Sequence, residues 1–560
     1  MLATLLAWLY ITFLCWTWGI LFLQLIKRIT KNAPAPPHFS IICLAGLAII
    51  TIVAGILSFF IPLGEWWVQF LFIVPALTVF FIKDVPYFFT SLKKEFSSLH
   101  ITSLALLVSL LFLIIVMSSW KIVHPDTLGY HAQTIQWVEK YKAVPGLVHL
   151  HVRFGYQGLW FVDCALFDFS FTGKQGITFL NSTFLFWFLT FIVNRIDENF
   201  FKDGKKSHGL TWTVLLFLSL WSYTQVRLTA TSASPDFIAT VFVLTIIYLL
   251  LEKQTKHLNI NDWLLVTILS TVAVTIKLSV APIFLIAFTA VAVFIIKRKI
   301  RALFICVIVV MLAATAFIAR NIITSGYVVF PSTAIDIVNP DWKYSKELTS
   351  NEKNYITAYA KKAGVSTKEE INTVNAMSVK EWLPTWWNNR STADKSIMVL
   401  LLISILIALI FFKRVIRSGF LPSLAMVTIS AGIIFWFINA PDPRFGFGFI
   451  LGLLCVIAFL VLKEKDIPFK KNFLASILIS FSLVTLAYTG YRFINFFHPS
   501  QLLRPLGIES SEYKSFDCNG VKINTPVNKD FGEIPVPATD QNCEKLEPRG
   551  NAIEEGFKAK

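Results

Sequence analysis

The 560-residue chain is 55% hydrophobic and 15% aromatic, only 15% of it is charged, and its mean hydropathy is +0.65. That composition excludes a soluble multidomain protein, because the apolar residues run in stretches near the ~20 that a bilayer-crossing helix needs. The formal charge of +16 is a topogenic signal and not a nucleic-acid footprint, since the excess sits in alternate short loops.

The expected fold class is an all-α polytopic membrane protein with about fourteen transmembrane helices. Three come first, at 2–26, 39–62 and 66–82; the first has no basic leader or small-residue cleavage site, so it counts as a span. Residues 1–100 form an N-terminal set of accessory helices. The span at 101–119 opens a core that runs to 462, and a first large outer loop, 120–176, follows it. Spans at 175–194, 209–226, 235–252, 262–278, 279–296 and 302–322 lead to a second outer loop, 324–395. Spans at 396–412, 419–438 and 445–462, then a last one within 463–492, lead to a small extracytoplasmic tail domain, 493–560.

Every second connection is basic: Lys27, Arg28 and Lys31; Lys83, Lys93 and Lys94; Arg195, Lys202, Lys205 and Lys206; Lys253 and Lys256. The series continues with Lys297, Arg298, Lys299 and Arg301; Lys413, Arg414 and Arg417; Lys463, Lys465, Lys470 and Lys471. The short connections between them hold Arg227, Lys277 or Arg444 singly. By the positive-inside rule the basic loops face the cytoplasm, and both termini and the two large loops face outward. No inner loop exceeds about twenty residues, which leaves no room for a folded nucleotide-binding domain, and neither phosphate-cradling glycine motif is present. The tail carries Cys518 and Cys543, which could form a disulfide in an oxidising compartment.

The outer side collects polar residues. In "HPDTLGYH" Asp126 opens a segment whose Leu128, Ala132, Ile135 and Val138 share one helical face, with Gln133, Gln136, Glu139 and Lys140 opposite. This pattern predicts a short helix lying on the membrane surface. Asp126 could be a base or simply a helix cap, and the same holds for Asp236 in "SASPDF". His124, His131, His149 and His151 could join Asp126 around a metal, though the spacing is weak. Lys277 is either an interface anchor or a functional cation; Arg320 sits about one turn inside the outer mouth, and Arg444 shares a tight turn with Asp442. Three cations at one membrane level beside carboxylates suit a lipid-borne phosphate and a base for an incoming hydroxyl.

On these residues the sequence resembles the GT-C superfamily of polytopic glycosyltransferases, which take sugars from polyprenyl-phosphate donors. The likeness rests on the acid that opens the first large outer loop and the helix after it. Two more stretches carry it: "RNIITSGYVVFP" from Arg320, and "DPRF" from Asp442. It covers roughly 101–462. Two features depart from it: Thr127 stands where many members carry a second acid, and about three spans precede the loop. The resemblance implies a GT-C-like core, Asp126 as catalytic base with Asp236 as a second acid, and a substrate-binding set of Lys277, Arg320, Arg444, His131 and Arg153. No protein metal site is expected; a divalent cation is the one cofactor such a site could take.

The expected activity is transfer of a sugar from a polyprenyl-phosphate donor to a glycan, lipid or protein acceptor on the extracytoplasmic side of a bacterial inner membrane. A lipid-linked glycan polymerase or ligase would use the same donors and outer arginines. A transporter or flippase would place its ionisable residues at midplane on broken helices with repeat symmetry, which the sequence lacks.

Overall fold

The computed structural model describes residues 1–31, 37–172, 176–202, 206–221, 228, 231–252, 258–462, 471–528 and 530–560. Lys205, Arg227, Lys253, Lys256, Lys463, Lys465 and Lys470 of the expected short connections lie outside these residues, as does the end of the span expected at 209–226.

Ten of the described helices are long and apolar enough to cross a membrane. They are Leu2–Thr30, Phe39–Leu57, Ile101–Ser118, Phe179–Lys202, Leu278–Ile296, Ile300–Ser325, Thr392–Ile410, Phe420–Asn439, Pro443–Val461 and Asn472–Phe496. The protein is therefore a helical, multi-pass membrane protein, and among the described residues full-length helices meet ten of the expected fourteen spans. The helices Lys206–Trp221, Asp236–Glu252 and Ile260–Ile276 have only 16, 17 and 17 residues. The fourth shortfall is at 66–82, where Val68–Phe81 and Val85–Ser97 meet at 96°. The chain leaves the helix at Ile82, which is extended (φ −88°, ψ 125°), and restarts with Pro86 in the first turn of the next helix, where proline is tolerated.

Contacts between helix ends sort the molecule into two ends. At one end Lys27 pairs with Asp84, Thr30 bonds Asn261, His38 pairs with Glu95, and the His100 amide donates to Asp197. At the other end the Ala3 amide donates to Leu503 O, Leu506 to Ser119 O, and Gly146 to Ile323 O. The described parts of the basic connections around 27–31, 83–95 and 195–202 thus gather at the first end, and the N-terminus, both large loops and the tail at the second.

The N-terminal helices are not accessory in packing terms. One continuous apolar core runs from Ala7 to Ile508, so no packing boundary falls at residue 100. The Trp8 indole donates to Ser182, and Ser40 donates to Trp187 O. Leu2–Thr30 and Phe39–Leu57 approach so closely that a Cβ on Gly46 would lie 1.7 Å from Cys15 O; small residues permit such backbone contact between membrane helices.

The segment read as a surface helix does form, at Ala132–Lys140, but it does not lie on the surface. Gln133, Gln136 and Glu139 are buried along with the apolar face. The tail is the reason. Gln133 donates to the carbonyls of Gly532 and Ile534, Gly532 donates to Leu128 O, and Thr539 Oγ1 to Leu150 O. On the face that amphipathicity assigned to water, the Gln133 amide is satisfied by backbone carbonyls of the tail, and Glu139 packs against Gly64. The tail itself pairs Tyr513–Cys518 with Val521–Pro526 and Leu546–Pro548 with Phe557–Ala559, both antiparallel. Cys518 is disulfide-bonded to Cys543, and the apolar interior of the tail is continuous with Trp137, Leu147 and Phe154 of the first outer loop.

Candidate active site

A cavity of about 630 Å³ opens at the end of the bundle that carries the large loops, lined by side chains from both loops and from four helix ends. Asp126, His131, Arg153, Asp236, Lys277 and Arg444 line it together, although 318 residues separate the first from the last.

Asp126 precedes a single π turn, Thr127–His131, and makes no capping hydrogen bond. The Thr127 amide donates to His124 instead, to its carbonyl oxygen at 3.0 Å and to Nδ1 at 3.2 Å. With the cap supplied elsewhere, both Asp126 oxygens are available to side chains. Oδ1 accepts from Arg153 Nη1 at 3.3 Å and Oδ2 from Arg444 Nη1 at 3.2 Å. Arg153 is delivered by a 3₁₀ turn, Val152–Gly155, whose start is capped by His151. Arg444 is the second residue of the helix Pro443–Leu462, and Asp442 accepts from its amide at 3.2 Å.

Asp236, the first residue of its helix, pairs with Lys277. Lys277 stands where Ile260–Ile276 ends and the backbone extends (φ −153°, ψ 122°). Its ammonium stays in the cavity over the Phe445 ring, 4.3 Å from the centroid, so it does not reach out to a lipid headgroup. Gly158 lets the first outer loop run against this helix end, since a Cβ there would be 2.5 Å from Ile276 O. Arg444 Nε lies 3.7 Å from Asp236 and 3.6 Å from Asp442, and no acceptor comes within hydrogen-bond reach of it among the described residues. Buried between these two carboxylates, Nε is held by ion pairing without a formed hydrogen bond.

Charges set the protonation states. Burial alone pushes the Asp126 carboxyl up, but Arg444, the neighbouring histidines and Arg153 outweigh it and hold it at about 2. Desolvation brings His124 down to about 4 and holds His131 well below the usual imidazole range. Both imidazoles are therefore neutral at pH 7. His131 is engaged with Thr127 Oγ1 at 3.1 Å. His149 instead bonds Trp342 O and His151 lies beside Asp540; among the described residues no group of three or more His, Cys, Asp or Glu is placed to hold a metal ion.

Arg320 does not belong to the site. It is buried, with Nη1 on Ser58 at 2.8 Å and Nε and Nη2 on Gln157 at 3.1 and 2.8 Å. One turn inside the mouth its side chain turns between helices, and the next residue, Asn321, lines the cavity. Sequence reasoning missed Glu352, Tyr355 and Tyr359, which line the opposite wall from the helix Lys346–Lys361. Their signal was present: with Ile356 they recur at i, i+3, i+4 and i+7, one face of a helix.

A family model described as a domain of unknown function, DUF8201, matches residues 1–451. The chain belongs to this family. The matched stretch includes every residue that lines the cavity and the N-terminal helices as well; the tail lies beyond it. No curated protein and no solved structure matches the chain.

Proposed function

We propose that this protein is a membrane glycosyltransferase of GT-C type, which moves a sugar from a polyprenyl-phosphate donor to an acceptor in the cavity. In this reading fourteen helical passes, four of them short, place the cavity at the outer face of a bacterial inner membrane. The observation that carries the reading is the convergence on one cavity of Asp126, Asp236, Lys277 and Arg444.

The donor phosphate takes the Arg444 guanidinium and Lys277, and its chain leaves past the apolar lining residues Leu278, Phe317 and Phe445. Paired with Arg444 and Arg153, Asp126 is too acidic to be an effective base. A phosphate that draws Arg444 away leaves Asp126 with Arg153 alone, which raises its proton affinity when the acceptor arrives. The acceptor oxygen then attacks the anomeric carbon. Its proton goes to Asp126, the bond from anomeric carbon to phosphate oxygen breaks, and polyprenyl phosphate departs as a stable anion. No strong general acid is needed; the protein contributes orientation and charge compensation. Asp236 holds Lys277 in place.

The test is purified protein in detergent incubated with a panel of polyprenyl-phosphate sugars, with released polyprenyl phosphate measured. At least one donor should be consumed. Consumption of none, with the protein folded, would overturn the reading.

A further inference from the structure

The two oxygens of Asp126 face different surroundings. Oδ2 meets Arg444, and through it Asp236 and Lys277. Oδ1 meets Arg153, and beyond Arg153 lies a wall of tyrosines. The Arg153 guanidinium carbon sits 5.5 Å from the Tyr130 ring centroid and 6.0 Å from that of Tyr355. Tyr130 meets Tyr156 edge-on at 5.9 Å, and Tyr355 meets Tyr359 at 5.8 Å with the planes 36° apart. Glu352 completes the wall and accepts a hydrogen bond from the Tyr156 hydroxyl.

This wall is built outside the helix bundle, from the first outer loop and the helix Lys346–Lys361. A separate tie holds that helix to the charged side: Arg390 donates to Ala360 O at 2.9 Å and to Asp442 at 3.1 Å. Tyr355 and Glu352 are only partly covered, and Tyr359 is 36% exposed. Membrane-interface tyrosines turn their rings to lipid. These rings line a cavity and pack on an arginine instead. Aromatic faces with a carboxylate and a guanidinium at their edge suit a ligand with apolar C–H faces and a rim of hydroxyls.

We infer that Tyr130, Tyr156, Glu352, Tyr355 and Tyr359 form the seat of a saccharide acceptor, whose attacking hydroxyl points past Arg153 to Asp126 Oδ1. This rests on the transferase reading and narrows the acceptor to a sugar. A sugar in this cavity could also be the donor's own. The position of the wall favours the acceptor, because it lies on the Arg153 side of Asp126 and the phosphate-binding cations lie on the other.

The experiment titrates the full-length protein with chitotriose, mannotriose and maltotriose and follows saturation transfer to the sugar ring protons by NMR. The same protein is assayed for polyprenyl-phosphate release from donor in the absence of acceptor. At least one trisaccharide should bind the native protein, and Tyr355→Ala combined with Tyr359→Ala should weaken it by about tenfold, on the scale of lost ring contacts. Tyr355→Phe with Tyr359→Phe should bind within about threefold of native, since the rings remain. Donor binding, measured alongside, should be unchanged in both. Failure of all three sugars to bind, or equal binding by the alanine pair, overturns the inference. Loss of donor binding in the alanine pair also overturns it, because the donor sugar then occupies the wall. Trisaccharide binding at the tyrosines with no release from any donor would instead overturn the transferase reading and leave the saccharide seat standing.

Discussion

Asp126 is held by two arginines, and the hold has a pH signature. Its carboxyl titrates at about 2 in the folded protein, against an ordinary 3.8. A lowered carboxyl stabilises the fold fully above the ordinary value and loses that contribution as pH falls towards the folded one. The difference in thermal stability between native protein and Asp126→Asn should therefore be constant from pH 5 upward and shrink between about pH 4 and 2; a difference that changed between pH 5 and 8 would contradict the double pairing. For Arg444 the account turns on the forked guanidinium, which lies within 4 Å of Asp126, Asp236 and Asp442 and which lysine lacks. Arg444→Lys should weaken donor binding by roughly 1–3 kcal/mol although the charge is kept. Equal donor affinity would move the phosphate off this residue. Arg320→Ala separates the two kinds of arginine. It removes the ties to Ser58 and Gln157 and should cost stability by about 1–3 kcal/mol while leaving donor affinity in the folded protein unchanged.

At the scale of elements, the sequence located the helices well and their surroundings poorly. Apolar length alone placed Leu2–Thr30, Phe39–Leu57 and Ile300–Ser325 within a few residues. The same criterion did not see the bend after Val68–Phe81, because hydropathy does not register the extended Ile82 at which the chain turns by 96°. Amphipathicity found Ala132–Lys140 but assigned its polar face to water, since the partner carbonyls of Gly532 and Ile534 lie about 400 residues away in sequence. The cations show the same limit. Lys277, Arg320 and Arg444 look alike in sequence, and only the rotation of each helix decides which faces the cavity. The tail's contact with this helix gives it a measurable role. Its disulfide spans 25 residues, and closing such a loop stabilises by about 3 kcal/mol in the chain-entropy model. Reduction, or Cys518→Ser, should therefore expose the tail to limited proteolysis before the helical core. Tail fragments appearing no faster in reduced than in oxidised protein would contradict that role.

For the whole molecule, the arrangement of ends carries the functional account. The basic connections around 27–31, 83–95 and 195–202 gather at one end, and the cavity, both loops and the tail at the other. Under the proposed orientation, a membrane-impermeant thiol reagent should label Ser366→Cys from outside intact cells and Lys299→Cys only after lysis, both positions being exposed. The reverse pattern would put the cavity in the cytoplasm. The central claim is that Asp126 acts as a base in that cavity. Asparagine keeps the shape and can still accept from one arginine, but it cannot take a proton. The deciding measurement is the rate of polyprenyl-phosphate release, in the presence of acceptor, by purified native protein and Asp126→Asn side by side, each checked for donor binding. The account predicts a fall of about a hundredfold or more with donor binding nearly intact. Turnover by Asp126→Asn at the native rate would contradict it.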